Sequence, residues 1–463
     1  MGPFKFSHSL LAVFALGALT PKASQAQEWL RDRRFQEGEG IRTGRFELHP
    51  GVGAEFGYDS NWFSRTDKNG MTNGPPGAPI IPATMLRVTP SLTLSSISDV
   101  RNADSAESGA APAMPAYKLK ASISATYREL FGEDPISKQR NLSGLADIHL
   151  DIAPNRPLAL TLAAGYTRYI RPTVFGDPDN SFNMSQPYAS IEGIYQPGGG
   201  TLDIRLGYTL TALLFEDAVA VGYSNLRHDL SVRTRWKFRP RTSIFQETIV
   251  GFVNYLDASR AVNLLSNSTP LRTRIGVNGL VSDRVAALAA VGYGASFIEN
   301  PRATTAQYDS ITGQAELRWY FGPVEGDNTF DTTGVNTGSS LAAGYIRDFQ
   351  VSYLGDQVGT DKGYASLAYF WGGKVLTSLT GSISYLNYPV VAFQDGSIAT
   401  QAFSSVRPEV SAYGEYRLSN RVGLTANLSY AQNITDAQIK YTFGNYDLSW
   451  SRWQAFGGAR VLW

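Results

Sequence analysis

Apolar and polar side chains alternate along most of the chain with a period of two residues. Between Phe46 and Tyr58 the apolar residues occupy even positions, while charged residues, histidine and glycine fill the odd ones. Segments 86–95 and 117–128 repeat the pattern. Strands with one apolar and one polar face are half-buried, so this alternation predicts a β protein.

The same alternation recurs to the end of the chain and predicts about 18 strands (16–18), an even number as bacterial membrane barrels require. Most segments have about ten residues or more, the length that a tilted strand needs to cross a bilayer, whereas strands of soluble sandwiches have about five or six. The sequence therefore predicts an all-β fold, a single transmembrane antiparallel up-and-down β-barrel. The further predicted strands are 142–152, 158–170, 186–196, 201–214, 225–238, 242–255, 270–281, 285–298, 306–321, 341–354, 363–372, 375–386, 403–418, 422–431 and 446–463.

Short and long connections alternate between these segments, as expected when the two ends of a barrel face different compartments. Tight turns such as 153–157 and 282–284 are followed by longer polar segments such as 171–185. Two connections on the short-turn side, 99–115 and 322–340, are long. They could dock a periplasmic partner, fold into the barrel as a plug, or be tolerated insertions.

The N-terminus predicts a secretory signal peptide, residues 1–26. A basic start precedes an apolar stretch, Leu10 to Leu19, and small residues lead to a cleavage site after Ala26. A membrane anchor helix would need about 20 apolar residues. Residues 27–44 form a charged periplasmic lead-in, and residues 45–463 form the barrel.

Composition agrees with this interpretation and excludes some functions. The 41 Lys and Arg residues nearly balance the 40 Asp and Glu residues, which argues against a nucleic-acid partner. Cysteine is absent, so no disulfide or thiolate metal site can form. Tyrosine (24), phenylalanine (23) and tryptophan (8) would supply rings at two membrane interfaces.

The last predicted strand ends on an aromatic residue, Trp463, with Val461 two residues before it. This pattern resembles the signal by which barrel proteins are recognised by the barrel-insertion machinery. Physically it is a lipid-facing strand end with a ring at the interface.

Residues 46–61 read Phe-Glu-Leu-His-Pro-Gly-Val-Gly-Ala-Glu-Phe-Gly-Tyr-Asp-Ser-Asn. This segment resembles the opening strand of outer-membrane barrels of the β-barrel porin 2 type, above all in the turn from Tyr58 to Asn61. The resemblance implies an outer-membrane location in a Gram-negative bacterium and a barrel fold. Members of such families have been linked to export of secreted polysaccharides, and others are porin-like.

Basic residues occupy the polar parity of one predicted strand and of its neighbours. Because a charge facing lipid costs about 2–4 kcal/mol at the bilayer midplane, these side chains must point into the barrel. They predict a positive stripe that steers an anionic solute or polymer, or internal ion pairs with acids of the same parity, or both. The candidate pore-lining basic residues are Arg205, Arg227, Arg233, Arg235, Lys237, Arg272, Arg274 and Arg318. The candidate pore-lining acidic residues are Asp147, Asp151, Asp203, Asp229, Glu247 and Glu316.

The most enzyme-like pattern is Asp147-x-His149-x-Asp151, whose three side chains share one strand face. It could be a metal site or an acid–base pair, but ordinary lining of a polar barrel interior explains it better. No catalytic residue, metal or cofactor is predicted.

A barrel of about 18 strands is too wide for its own side chains to fill. We therefore expect a porin-like channel for hydrophilic cargo, with exopolysaccharide secretion as the first hypothesis and passive uptake of small solutes as the second. An outer-membrane enzyme, with a nucleophile beside His149 or His228, and a structural barrel are the remaining alternatives.

Overall fold

A computed structural model shows the fold of the chain. It describes residues 40–66, 79–96, 116–132, 142–170, 183–217, 220–261, 263–299, 307–321, 339–352, 354–371, 374–419, 421–441 and 444–463. The predicted signal peptide, most of the lead-in, all of connection 99–115 and most of connection 322–340 lie outside these residues.

Nineteen strands form one antiparallel sheet, and the shortest of them, β1 (Ile41–Thr43), folds back as a hairpin on the first residues of β2. The remaining eighteen make up the wall of a barrel, which confirms the predicted fold. These are β2 (Phe46–Asp59), β3 (Ala83–Ser96), β4 (Tyr117–Phe131), β5 (Leu142–Ile152), β6 (Leu158–Tyr169), β7 (Met184–Tyr195), β8 (Leu202–Phe215), β9 (Asn225–Arg239), β10 (Thr242–Tyr255), β11 (Ser268–Ser282), β12 (Val285–Ile298), β13 (Asp309–Tyr320), β14 (Ser340–Val351), β15 (Gln357–Trp371), β16 (Val375–Tyr388), β19 (Phe403–Arg417), β20 (Val422–Asn433) and β23 (Trp450–Leu462).

Each barrel strand pairs with its neighbours along the chain, and the first pairs with the last. The register of β2 with β23 runs from Gly51 opposite Leu462 to Asp59 opposite Gln454. Closure joins the first barrel strand to the last, which is the requirement for a sheet surrounded by lipid.

Four short strands form two hairpins between barrel strands. They are β17 (Val391–Ala392) with β18 (Ile398–Thr400), and β21 (Gln438–Tyr441) with β22 (Gly444–Asp447). The predicted strand 446–463 was therefore too long at its start, because residues 444–447 pair within their own hairpin. The predicted strand 363–372 was too short, since β15 begins at Gln357.

The described parts of the connections contain three short helical turns: Pro197–Gly200, Val221–Tyr223 and Ala258–Arg260. Within the residues that the structure describes, no helix is long and apolar enough to cross a membrane.

The two faces of the wall differ as the alternation predicted. In β9, Leu230, Val232 and Trp236 are exposed, whereas the polar residues between them are partly buried. The polar face is the inner one, because its side chains reach across intervening strands: Arg272 of β11 contacts Asp348 of β14, beyond β12 and β13. Only the concave side of a barrel brings such strands together.

Short and long connections alternate, so the barrel has a short-turn end and a long-loop end. The short-turn end carries turns such as 283–284 and the two long connections 99–115 and 322–340, which join β3 to β4 and β13 to β14. The long-loop end carries connections such as 256–267, 389–402 and 434–449.

Candidate functional site

The inner face of β7, β8 and β9 carries a cluster of arginines around one buried carboxylate. Asp203 is only 2% exposed and accepts hydrogen bonds from Arg205 (2.8 Å) and Arg235 (3.2 Å). Arg205 also lies 3.3 Å from Glu192. Burying a carboxylate is costly unless it is paired, and here two guanidinium groups satisfy it.

Three further predicted acids of this wall are paired in the same way: Asp229 with Arg227 (2.8 Å), Glu247 with Arg274 (2.5 Å) and Glu316 with Arg318 (2.9 Å). The predicted basic residue Arg272 pairs with Asp348 (3.0 Å), which was not predicted. Tyr364 of β15 also donates to Glu316, at 2.5 Å. Internal ion pairing, one of the two interpretations of the basic stripe, is thus present in the structure.

Arg233 and Lys237 complete the predicted basic set on β9. In the sheet register Arg233 lies between Arg205 of β8 and Glu247 of β10. Glu247 in turn lies opposite Arg274 of β11 and pairs with it. This row across β8 to β11 therefore contains three guanidinium groups and one carboxylate. The backbone N–H of Lys237 donates to the Thr201 carbonyl at the short-turn end.

The Asp147–His149–Asp151 pattern lies on the inner face of β5, where His149 and Asp151 contact each other and Asp147 has a separate partner. Ser122 donates to Asp147, and Thr161 donates to Asp151 at 2.7 Å. His149 Nε2 lies 3.1 Å from Asp151 Oδ1. The hydroxyl of Thr161 thus contacts the acid rather than the histidine, which is not the arrangement of an activated nucleophile.

His228, the other histidine of the enzyme alternative, is hydrogen-bonded to the hydroxyl of Tyr208 at 2.8 Å. Among the described residues, no group of three or more His, Cys, Asp or Glu side chains is arranged to hold a metal ion.

Sequence reasoning missed the ion pairs on the other side of the barrel. Glu415 of β19 is bonded to Arg460 of β23, across β20, and to Arg417 at 3.4 Å. Glu55 pairs with Arg87 at 3.2 Å. The signal was present: these residues occupy the polar parity of their strands, and Arg460 lies between the apolar positions of the last strand.

The turn from Tyr58 to Asn61 ties the first barrel strand to the last. Asp59 is fully buried and accepts from Arg452 Nε at 3.0 Å, while Ser60 N–H donates to the Trp453 carbonyl at 2.9 Å. Asn61 Nδ2 donates to the Ser451 carbonyl at 2.9 Å. The sequence motif behind the resemblance is therefore the closure of the barrel at its long-loop end.

At the short-turn end the C-terminal strand completes the same closure. Val461 lies opposite Val52 on one side and Val422 on the other, and Trp463 N–H donates to the Pro50 carbonyl at 3.0 Å. The side chain of Trp463 is 41% exposed. The role of Val461 and Trp463 as an insertion signal stays a prediction.

Three apolar clusters cover the inner face at the long-loop end. In the first, Trp62 and Phe63 pack over inward-facing Met85 and Phe456, and Arg87 lies 3.4 Å above the Phe456 ring. The second cluster comprises Phe215, Ala220, Tyr223, Ala261 and Leu265. The third comprises Leu354, Val358, Leu386, Tyr388, Val391, Ala399, Ile439 and Leu448.

Contacts between loops join these clusters into one layer. Leu264 N–H donates to the Ala392 carbonyl at 2.8 Å and links the loop of the second cluster to a loop of the third. Thr66 Oγ1 lies 3.4 Å from Ser449 Oγ and links the loop of the first cluster to another loop of the third. Gly222 permits the closest approach, because a Cβ there would lie 2.1 Å from the Ala261 nitrogen. Since the strand residues of the third cluster, such as Leu386, continue the inner face, the loops bend over the barrel mouth. We call the described residues of connections 60–82, 216–224, 256–267, 352–356, 389–402 and 434–449 the loop layer.

One carboxyl group makes the loop layer sensitive to pH. Burial raises the pKa of Asp356 to about 6. Ser266 N–H donates a hydrogen bond to Asp356 Oδ1 at 2.9 Å, which lowers the pKa but does not offset the effect of burial. Because the folded pKa lies above the unfolded value of about 3.9, ionisation weakens this loop contact as pH rises from about 4 through 6. We expect loop 352–356 to resist proteolysis better at pH 5 than at pH 7.5.

Asp356→Asn should remove that difference and keep the loop protected at both pH values. The matched control is Asp395→Asn in the neighbouring loop, where the pKa is lowered by hydrogen bonds from Ser397. That carboxylate stays ionised across the range, so its variant should keep the wild-type pH profile. A wild-type cleavage rate that is flat between pH 5 and 7.5 would contradict the prediction.

A closed barrel with an apolar outer face, exposed rings at its ends and an ion-paired interior has the architecture of membrane-spanning β-barrels. No protein-family model matches the chain, and no curated protein matches it in sequence. The resemblance to the β-barrel porin 2 type therefore stays a prediction.

Solved structures that this chain resembles include those of three bacterial proteins. The siderophore receptor PirA from Pseudomonas aeruginosa is 9% identical, with a TM-score of 0.41, over 91% of this chain and 81% of that one. The FrpB iron transporter from Neisseria meningitidis is 9% identical, with a TM-score of 0.41, over 95% of this chain and 83% of the transporter. An anion-selective porin from Comamonas acidovorans is 10% identical, with a TM-score of 0.35, over 90% and 99%. These similarities are too low to support an argument about function.

Proposed function

We propose that this chain is an outer-membrane channel for hydrophilic cargo, and that its cargo is a secreted polysaccharide. The observation that carries the proposal is the closed wall of eighteen strands with a charged, ion-paired inner face. Side chains fill a barrel of about eight strands, whereas barrels of about 16–18 strands leave an aqueous channel.

The polysaccharide cargo is supported by the resemblance in residues 46–61 and by the chemistry of the inner face. Paired charges such as Arg274 with Glu247 offer hydrogen-bonding groups to a passing sugar while the local net charge stays small. Inward-facing tyrosines such as Tyr364 and Tyr413 add rings against which sugar faces can pack. Passive uptake of small solutes is the second candidate, favoured by the loop layer, whose loops bend over the barrel mouth.

Topology and partners belong to the same proposal. The signal peptide 1–26 directs export, the lead-in 27–44 and both termini face the periplasm, and the long-loop end faces outward. The connections 99–115 and 322–340 would then be placed to dock a periplasmic component of a polysaccharide-export system. Outer-membrane lipid and the barrel-insertion machinery are the remaining partners.

Two measurements test the proposal. Purified protein reconstituted in planar bilayers should conduct ions, and a barrel that stays silent under all voltages and pH values would refute both transport functions. Deletion of the gene should abolish surface and secreted polysaccharide, with complementation by the wild-type gene. Normal polysaccharide together with slower permeation of small solutes would favour uptake instead.

A further inference from the structure

The barrel wall contains a seam between β13 and β14 at the long-loop end. Their pairing stops at Gly313 opposite Arg347. Both strands nevertheless continue beyond this point, β13 paired only with β12 and β14 paired only with β15. Residues 309–312 and 348–351 therefore do not pair with each other, and two strand edges lie side by side without a ladder.

Side chains replace the missing ladder at this seam. Arg347 Nε donates to the Ile311 carbonyl at 3.1 Å and its Nη2 donates to Ser310 Oγ at 3.3 Å. On the other edge, Phe349 N–H donates to Asp348 Oδ1 at 2.8 Å, and the guanidinium of Arg272 donates to the Phe349 carbonyl. Edge groups facing a membrane must find partners, and here flexible side chains provide them instead of backbone.

The two hairpins overlap at the seam. The Phe349 ring stacks on Tyr308, with centroids 4.3 Å apart, and a Cβ on Gly294 would lie 2.7 Å from the Phe349 ring. Gln357 accepts from Ser296 at 2.5 Å. The tip of the β14–β15 hairpin thus packs against the inner side of β12, and the wall is stepped rather than continuous.

A cavity of about 260 Å³ opens at this step. Its lining combines amide, carboxyl and guanidinium groups with two tyrosines, a mixture that suits a sugar, whose hydroxyls bond to polar groups and whose ring face packs on aromatic rings. The guanidinium of Arg347 lies 3.2 Å from Asp361, so these two charges cancel, and the carboxylate of Asp309 remains as a hydrogen-bond acceptor for sugar hydroxyls. Beside Arg347 and Asp361, the lining includes Gln307, Tyr308, Asp309, Asn387 and Tyr388.

The position of the cavity along the barrel axis is consistent with a sugar ligand. Three exposed tyrosines, Tyr293, Tyr345 and Tyr385, surround the seam on the outer face. Exposed rings mark the interface between hydrocarbon and head groups in membrane barrels. The cavity therefore lies at the level of lipid head groups and their sugars rather than in the hydrocarbon.

We propose that the seam between β13 and β14 is a binding site for a sugar unit of a glycan chain. The glycan has two sources: the head group of an outer-leaflet glycolipid, or a free saccharide chain. Only the second source rests on the proposed export function, because the first needs nothing more than a barrel in an outer membrane.

Binding can be measured on purified full-length protein in phospholipid nanodiscs, apart from any transport assay. The probes are rough lipopolysaccharide incorporated in the disc, its core oligosaccharide after deacylation, and cellohexaose. We expect Asn387→Leu and Gln307→Leu to weaken binding about tenfold, the loss expected for one hydrogen bond of about 1.4 kcal/mol. The matched control is Asn254→Leu, because Asn254 is the penultimate residue of β10 as Asn387 is of β16.

Binding of the intact glycolipid alone, lost in Asn387→Leu and kept in Asn254→Leu, assigns the site to outer-leaflet glycolipid. Binding of a soluble saccharide with the same pattern assigns it to a free glycan. The proposal is overturned if no probe binds, or if Asn387→Leu and Asn254→Leu behave alike. A difference in gel mobility before and after heating shows that each variant is folded. Polysaccharide secretion is measured in a separate experiment, so a failure of the export proposal does not decide the outcome of this binding test.

Discussion

Replacing Asp59 with alanine should lower the free energy of unfolding by about 3–5 kcal/mol, the cost of leaving a buried charge without its partner. Asp59 is 0% exposed, and it accepts hydrogen bonds from Arg452 and from Gln454. The variant keeps the Arg452 guanidinium, which is largely buried, and removes the carboxylate that neutralises it. Because this pair joins β2 to β23, the loss falls on the closure of the barrel. Urea unfolding of the refolded protein in lipid vesicles, followed by tryptophan fluorescence, measures the change.

A matched control and a second-site variant separate charge from packing. Asp283→Ala removes a pair of similar length, 2.7 Å to Arg241, but Asp283 is 80% exposed, so its loss should stay below about 1 kcal/mol. Combining Asp59→Ala with Arg452→Leu removes the orphaned charge and should recover part of the stability. If Asp59→Ala and Asp283→Ala unfold at the same urea concentration, the closure pair is not a stabilising element.

The period-two alternation was sufficient to predict the barrel wall, because each strand repeats the same choice between lipid and interior. The strand predicted at 285–298 has those bounds in the structure, as does the strand at 242–255. The pattern fails where both faces of a strand become polar or buried. β15 starts at Gln357 because its first residues pair with the inward-bent tip of β14, which no alternation records.

The inner face was predictable by parity, but the choice of partners was not. Glu247 pairs with an arginine on the adjacent strand, whereas Arg272 reaches Asp348 three strands away. Such contacts depend on how sharply the wall curves, and a sequence does not contain that curvature. The apolar pair Trp62–Phe63 had no predicted place, because a loop has no period; its position became clear only from its contact with inward-facing Met85 and Phe456.

The loop layer leads to a prediction about conductance. Ile439 of the β21–β22 hairpin is 1% exposed and packs in the third apolar cluster with Leu386 and Leu448. An aspartate at this position would place an unpaired charge among apolar side chains, which costs several kcal/mol unless the hairpin leaves the cluster. Because loops open locally at lower free energy than the barrel unfolds, Ile439→Asp should free the hairpin while the wall stays intact.

We therefore expect Ile439→Asp to raise single-channel conductance by about twofold or more, since a constriction at the mouth limits ion flow in a wide barrel. The matched control is Ile398→Asp in the same layer, where the side chain is 44% exposed and can carry a charge into water. Its conductance should remain that of the wild type. Both variants should keep the wild-type urea midpoint, which shows that the change is in the loops. Equal conductance of Ile439→Asp and the wild type would mean that the loop layer packs along the rim without narrowing the path, and that ion flow is limited deeper in the barrel.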